Sequence, residues 1–191
     1  MDKNIDARII KSKKMLKDAL IKLISKKAFD KINVSEICDE AKIHRMTFYN
    51  HYSDKFALFT DAVADVFSVL EHRFIHEVYI CKTKSEVDKS VDFFDLIITE
   101  LSKNEHILKS ISGSKDYVKL YEILRDAYEQ TIYNICAKIF KEHNDQLDFR
   151  VKFYCGGISN MIMYYFLRRE QINYADYKKN LRELITSLIK N

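Results

Sequence analysis

The sequence predicts an all-α protein: a three-helix N-terminal helix-turn-helix domain followed by a C-terminal helical bundle that dimerises. Three observations predict it. The 191 residues include no Pro and only three Gly, which disfavours sheet-rich folds with many tight turns. Apolar residues recur at helical spacing along most of the chain. Residues 32–59, INVSEICDEAKIHRMTFYNHYSDKFALF, carry three successive helix-start signals separated by short breaks.

The first helix is expected from about Asp6 to Lys27. Ile9, Leu16, Ala19, Leu20, Leu23 and Ile24 form its apolar stripe, and Lys11, Lys13, Lys14, Lys17 and Lys22 cover much of the rest. Ala28 to Ile32 link it to the second helix, Val34 to Ala41. Asn33 is the N-cap of that helix, with Glu36 three residues on to complete a capping box. Ile32 and Ile37 have the spacing of a hydrophobic staple. Lys42 stands at the break, where Gly would tolerate positive φ more easily. A third helix begins near Arg45, with Ile43 and Phe48 at staple spacing and His44 at the cap. Asp54 caps a fourth helix that begins with Lys55 and runs to about Ile75.

The helix after the turn has two faces. Phe48 and Tyr52 are i, i+4 neighbours and point to the core. Arg45, Met46, Thr47 and Asn50 are then the candidate base readers: Arg pairs with guanine edges, Thr hydrogen-bonds bases, and Met touches a thymine methyl. Tyr49, His51 and Lys55 are the candidate phosphate ligands, which position a helix without reading sequence. An ordinary helical corner with a solvated polar face is the alternative, and three agreeing cap signals weigh against it.

These residues resemble the TetR family of bacterial transcriptional regulators. The matching positions are Ile32, Val34, Ile37, Ala41, Ile43, Thr47, Phe48, Tyr49, Tyr52, Lys55, Leu58 and Phe59, within about residues 8–60. Departures are Lys42 for the turn Gly, His44 for the cap Ser and Cys38 for a small Ala. The resemblance implies a homodimer of helical subunits that binds double-stranded DNA at a palindromic operator. It divides the chain into a DNA-binding domain, 1–55, and an effector-binding and dimerisation domain, 56–191. It further implies a repressor released by a small-molecule effector, with the fourth helix as the connection between the two parts.

Charge placement fits DNA. Residues 1–55 carry 13 Lys+Arg and 8 Asp+Glu, a net of +5, and the remainder carries 19 and 20, a net of −1. The whole basic excess thus lies in the proposed reading head, the footprint of a phosphate-binding surface. A solvated lysine face accounts equally for such a count taken alone. The four Cys at 38, 81, 136 and 155 have neither metal-finger nor redox spacing, and no secretion signal is evident. They read as reduced, in a cytoplasmic protein.

Residues 80–90 lack an apolar stripe and are expected to form a loop. Further helices are expected at 91–102, 104–111, 116–142, 146–169 and 174–190. Residues 153–167, FYCGGISNMIMYYFL, hold no charge over 15 positions, short of the roughly 20 that span a bilayer. No membrane association is expected. A helix apolar on all sides is buried on all sides, so one face meets the subunit core and the other a second subunit. Phe153, Gly156, Gly157, Met161 and Tyr164, with Leu181, Leu184 and Leu188 from the last helix, are the candidate dimer interface. One larger core without a dimer is the alternative.

Phe67, Phe74, Phe93, Phe94, Tyr117, Tyr121, Tyr128, Tyr133 and Phe140 make the centre aromatic. They supply either a core or the wall of a pocket for a small apolar or aromatic effector, and no residue is assigned to a ligand. His72 and His76 are i, i+4, but no third metal ligand accompanies them. No Gly-rich phosphate loop, nucleophile elbow or zinc cluster is present. No enzymatic activity, catalytic residue, metal or cofactor is therefore expected. The rival function is a co-regulator or activator whose C-terminal domain docks a protein partner.

Overall fold

The structure is a computed structural model that describes residues 3–80, 84–103, 105–140, 145–168 and 170–189. All regular structure among these residues is helical: α1 (Lys3–Ile24), a 3-10 turn (Phe29–Lys31), α2 (Val34–Ala41), α3 (Arg45–His51), α4 (Lys55–Arg73) with a π-helical continuation (Phe74–Tyr79), α5 (Glu86–Lys103), α6 (Glu105–Ser112), α7 (Tyr117–Phe140), α8 (Asp145–Arg168) and α9 (Tyr174–Ile189).

Local chemistry sets the N-terminal boundaries. Asn33 Oδ1 accepts from the Glu36 amide at 3.0 Å, and Glu36 Oε2 accepts from the Asn33 amide at 3.0 Å, so the capping box is complete. The Lys27 ammonium and the Asn33 amide hold the Glu36 carboxyl below its usual range. Both staple residues, Ile32 and Ile37, are buried. Lys42 ends α2 at φ 54, ψ 44, the left-handed conformation that a side chain disfavours. His44 starts α3 without a side-chain cap. Asp54 caps α4 by accepting from the Ala57 amide at 2.8 Å.

Two boundaries differ from expectation. Helix α1 ends at Ile24, because the Lys26 and Lys27 amides both bond to Leu23 O and tighten the last turn. The expected loop at 80–90 is partly helix: α5 begins at Glu86. A second capping box starts it, in which Ser85 Oγ accepts from the Asp88 amide at 3.1 Å and Asp88 Oδ2 accepts from the Ser85 amide at 3.3 Å. The Ser85 hydroxyl and the Arg182 guanidinium hold the Asp88 carboxyl down at about 2. Cys81 lies outside the described residues.

The chain groups into two compact units, Met1–Val66 with Asn104–Ala127, and Phe67–Lys103 with Tyr128–Asn191. Helices α4 and α7 begin in the first and end in the second.

In the first unit α1 packs on α2, α3 and α6. Its core holds Leu16, Leu20, Ile24, Phe29, Ile37, Phe48, Phe59 and Leu120. Phe29 lies at the centre, with ring centroids 5.2 Å from Phe56 and 5.4 Å from Phe59. Lys55 closes this core. Its ammonium donates to Phe29 O and Ile32 O, both at 2.9 Å, lies 4.6 Å from the Phe29 ring centroid and 3.8 Å from Asp116. Burial pulls the Lys55 pKa down, against the opposing pull of Asp116 and Asp30.

In the second unit α5 packs on α8 and α9 around Phe74, Phe93, Phe94, Tyr128, Ile132, Val151, Cys155 and Ile162. Of the aromatic residues singled out in the sequence, Phe74, Phe93, Phe94 and Tyr128 are in this core, with Phe67 and Tyr133 packed against it, and Phe74 and Phe93 meet edge to face at 4.6 Å. Tyr117, 37% exposed, and Tyr121 lie in the first unit, and the Phe140 side chain lies outside the described residues. The proposed dimer residues fall into two groups. Phe153, Gly156, Gly157, Tyr164 and Leu184 are exposed, and a Cβ added at either Gly would meet nothing within 4 Å. Leu181 is different: at 3% exposure it belongs to the unit's own core, because α9 turns that side of its stripe toward α5. Met161 is half-buried against the same core, and its carbonyl accepts from Tyr177 Oη at 2.9 Å. The Leu188 side chain lies outside the described residues.

Two stability outcomes follow from these geometries. Lys42→Gly removes the left-handed strain and is expected to raise the unfolding free energy by roughly 0.5–1 kcal/mol, read as a higher urea midpoint at unchanged m-value. Lys55→Met keeps the stem but removes the ammonium donor from both carbonyls, leaving Phe29 O with the Ile32 amide alone. Its expected cost is about 2 kcal/mol, and an unchanged midpoint would contradict the closing role of the ammonium.

Candidate nucleic-acid interface

Helix α3 is only seven residues long, so its orientation comes from what its inner face grips. Phe48 is fully buried and Tyr52, just past the helix, is 5% exposed. Tyr52 Oη donates to Asp61 Oδ2 at 2.6 Å, and burial together with Asp61 pushes its phenol pKa up, which keeps the donor proton in place. Asp61 is also held by Lys13 and Lys17, each at 3.6 Å. The inner face of α3 is thus bolted to α4 and α1 by both apolar and polar contacts.

The outer face follows from this. Met46 is 73% exposed and Tyr49 56%. Arg45 and Asn50 are exposed beside them, and Thr47 is half-buried. The Tyr49 ring stands edge-on to Phe48 at 5.4 Å, which stiffens it while its hydroxyl stays outside. One short helix therefore presents an Arg fork, a thioether, a phenol and an amide to solvent in about two turns.

Two proposed phosphate ligands have intramolecular partners. Lys55 is turned inward, as described above, and the structure gives it a structural role in place of the expected phosphate contact. The sequence could not show this, because its acceptors lie 26 and 23 residues away. His51 is half-buried, with Nε2 2.7 Å from Ser12 Oγ. The Ser12 hydroxyl already donates to Ile9 O at 3.0 Å. It therefore accepts from His51, which places the imidazole proton on Nε2 and leaves Nδ1 for a further partner.

One residue of this surface was not singled out by sequence. Ser35, the second residue of α2, accepts a hydrogen bond through Oγ from Arg45 Nη2. No local pattern marks it, since the pair is separated by ten positions.

Part of the basic charge of residues 1–55 is engaged in ion pairs. Lys13, Lys17, Lys22, Lys27, Lys31 and Lys55 pair with Asp61, Asp65, Glu40, Glu36, Asp30 and Asp116. Among the described residues, Arg8, Lys11, Lys14, Lys26 and Lys42 are exposed and outside these pairs.

Among the described residues no group of three or more His, Cys, Asp and Glu could hold a metal ion, and no helix is long and apolar enough to cross a membrane. His72 and His76 stack at 4.2 Å on the exposed side of their helix.

The family model described as "Bacterial regulatory proteins, tetR family" matches residues 16–62, the segment that forms this surface and its support. No curated protein sequence matches the chain. Solved structures share its fold along most of their length. A putative TetR-family regulator from Syntrophomonas wolfei is similar at TM-score 0.65 and 11% identity, over 94% of this chain and 95% of that one. NalD of Pseudomonas aeruginosa is similar at TM-score 0.60 and 15% identity, over 93% and 96%. A TetR regulator from Streptococcus agalactiae is similar at TM-score 0.58 and 18% identity, over 94% and 96%. Residues 16–62 thus match the DNA-binding domain of TetR-family regulators, and the chain shares the all-helical fold of these solved structures.

Proposed function

We propose that the protein is a homodimeric repressor that reads a palindromic operator through α3 and leaves it when the C-terminal bundle takes a small apolar or aromatic effector. The observation that carries the reading is the outward face of α3. Arg45, Met46, Thr47 and Asn50 are its base readers, and Tyr49 and His51 Nδ1 its phosphate contacts. Lys55 is left out of that set. A structurally similar protein, NalD, is described as a repressor, which supports the sign of regulation.

The dimer rests on α8. One side of this helix is core, through Val151, Cys155 and Ile162. The other carries Phe149 (76% exposed), Phe153 (68%) and Tyr164 (44%), with exposed Gly156 and Gly157 between them. Leu184 extends the apolar surface from α9. Contiguous apolar surface of this kind marks an interaction site, and a second copy of the same stripe is self-complementary about a two-fold axis.

One observation favours a second reading for the C-terminal half. Phe93, Phe94 and Tyr128 are each under 8% exposed and pack within the core. A filled bundle suits a co-regulator that docks a protein partner better than one that encloses a ligand. Thermal stabilisation by an apolar or aromatic compound favours the effector. Capture of a specific protein together with operator DNA favours the partner.

Selection of bound sequences from random duplex DNA is expected to return a site with two-fold symmetry. Failure to enrich any sequence would overturn the proposal. Arg45→Ala is expected to flatten preference at one position per half-site. Tyr49→Phe is expected to weaken binding to every sequence alike, by about fivefold, at unchanged salt slope.

Phe153→Asp is expected to give a monomer by light scattering at micromolar concentration, with helix content retained. Gly156→Ala combined with Gly157→Ala provides a sharper contrast. In an isolated helix each change adds roughly 1 kcal/mol of helix propensity, yet in a dimer the added methyls obstruct close approach. Weaker association of a more helical chain is the expected result.

A further inference from the structure

We propose that Ser35 is a specificity-determining positioning residue: its hydroxyl holds the Arg45 guanidinium in the direction from which Arg45 reads DNA. The inference rests on the function proposed above, in which Arg45 is a base reader.

Arg45 is the first residue of α3, and Ser35 is the second residue of α2. The bond from Arg45 Nη2 to Ser35 Oγ spans the two helices on their outer side. The guanidinium also lies near enough to Cys38, one turn further along α2, for its charge to oppose the upward effect of burial on that thiol. Arg45 is therefore laid along α2 rather than free to sweep around the end of α3.

The stereochemistry leaves the fork usable. Nη2 carries two hydrogens that point to opposite edges of the planar guanidinium. A single bond to Ser35 occupies one of them. One whole edge, able to contact guanine O6 and N7 in parallel, stays free. Among the described residues the Ser35 hydroxyl hydrogen meets no acceptor. Ser35 thus accepts from Arg45 without a competing local bond turning it away.

The effect on recognition is entropic and directional. A long Arg side chain loses rotamer freedom when it docks on a base. A side chain already held in a reading pose loses less on binding and offers fewer alternative poses to wrong bases. Removing the hydroxyl should hence cost discrimination at the Arg45 base pair, rather than affinity for DNA in general.

The test measures binding of the full-length chain to its selected operator, to operators altered at each half-site position, and to unrelated duplex DNA. Ser35→Ala is expected to reduce discrimination about tenfold at the position that Arg45→Ala flattens, within the range of one good bidentate pair. Affinity for unrelated DNA should stay within about twofold of the parent chain, as base contacts do not set it. Ser35→Thr keeps the hydroxyl and should restore discrimination. In the Arg45→Ala background, Ser35→Ala should change nothing further at that position. Equal weakening on all sequences would show Ser35 to be a phosphate contact and overturn the inference. So would an effect that survives in the Arg45→Ala background. These outcomes differ from failure of the underlying reading, in which the parent chain itself shows no sequence preference.

Discussion

The first unit depends on one ammonium group. Lys55 opens α4, and its Nζ is held by the carbonyls of Phe29 and Ile32, by the Phe29 ring face and by Asp116. Each of these partners belongs to a different problem in the fold. The two carbonyls flank the 3-10 turn that carries the chain from α1 into α2, and the ammonium gives each a side-chain donor. Phe29 fills the centre of the core. Asp116 stands at the corner between α6 and α7. A single buried donor therefore joins the start of α4, the approach to α2 and that corner. A buried cation is tolerated only with such partners.

The corner is secured to the same turn by further bonds. Ser110 Oγ donates to Lys27 O at 2.7 Å, and the Asp30 amide donates to Ser114 Oγ at 3.2 Å. Lys119 Nζ sits 3.6 Å from the Phe56 ring centroid. Through these contacts the residues that lead into α2 are gripped from α4 and from α6–α7 at once. Helix α2 in turn sets α3, across the left-handed Lys42 and the uncapped His44. The α2–α3 turn itself has weak local chemistry, and the surrounding unit compensates for it. That is a physical reason why the departures from the usual turn Gly and cap Ser are tolerated here.

The same division explains what the sequence made legible. Caps, staples and apolar stripes are short-range, so the starts of α2, α3 and α4 could be read within a residue. The Ser85–Asp88 box lies in a segment polar throughout, where no apolar stripe marks the helix that it starts. Long-range engagement was not legible at all. A lysine at a helix start near the reading head looks like a phosphate ligand until the carbonyls it faces are known. A histidine 39 residues from a serine on α1 gives no sign of their bond. Ser35 is invisible for the same reason, and the candidate readers Arg45, Met46 and Asn50 were visible because a buried Phe48 dictates which side of a helix is left for them.

Helix α8 shows how far periodicity alone can carry an argument. Its apolar residues surround the axis, so no single packed layer can cover them. The core takes Val151, Cys155 and Ile162 and leaves Phe149, Phe153 and Tyr164 outside. Two Phe rings stand at exposed helix positions, and each is costly in water. The Gly pair between them weakens the helix and fills no crowded space within the subunit. Both features oppose stability of an isolated chain and both favour close approach of another helix. A two-fold partner offers the same stripe in return, with apolar rings to cover and room above the glycines. In the proposed dimer the features that weaken one copy would become the contact surface of two.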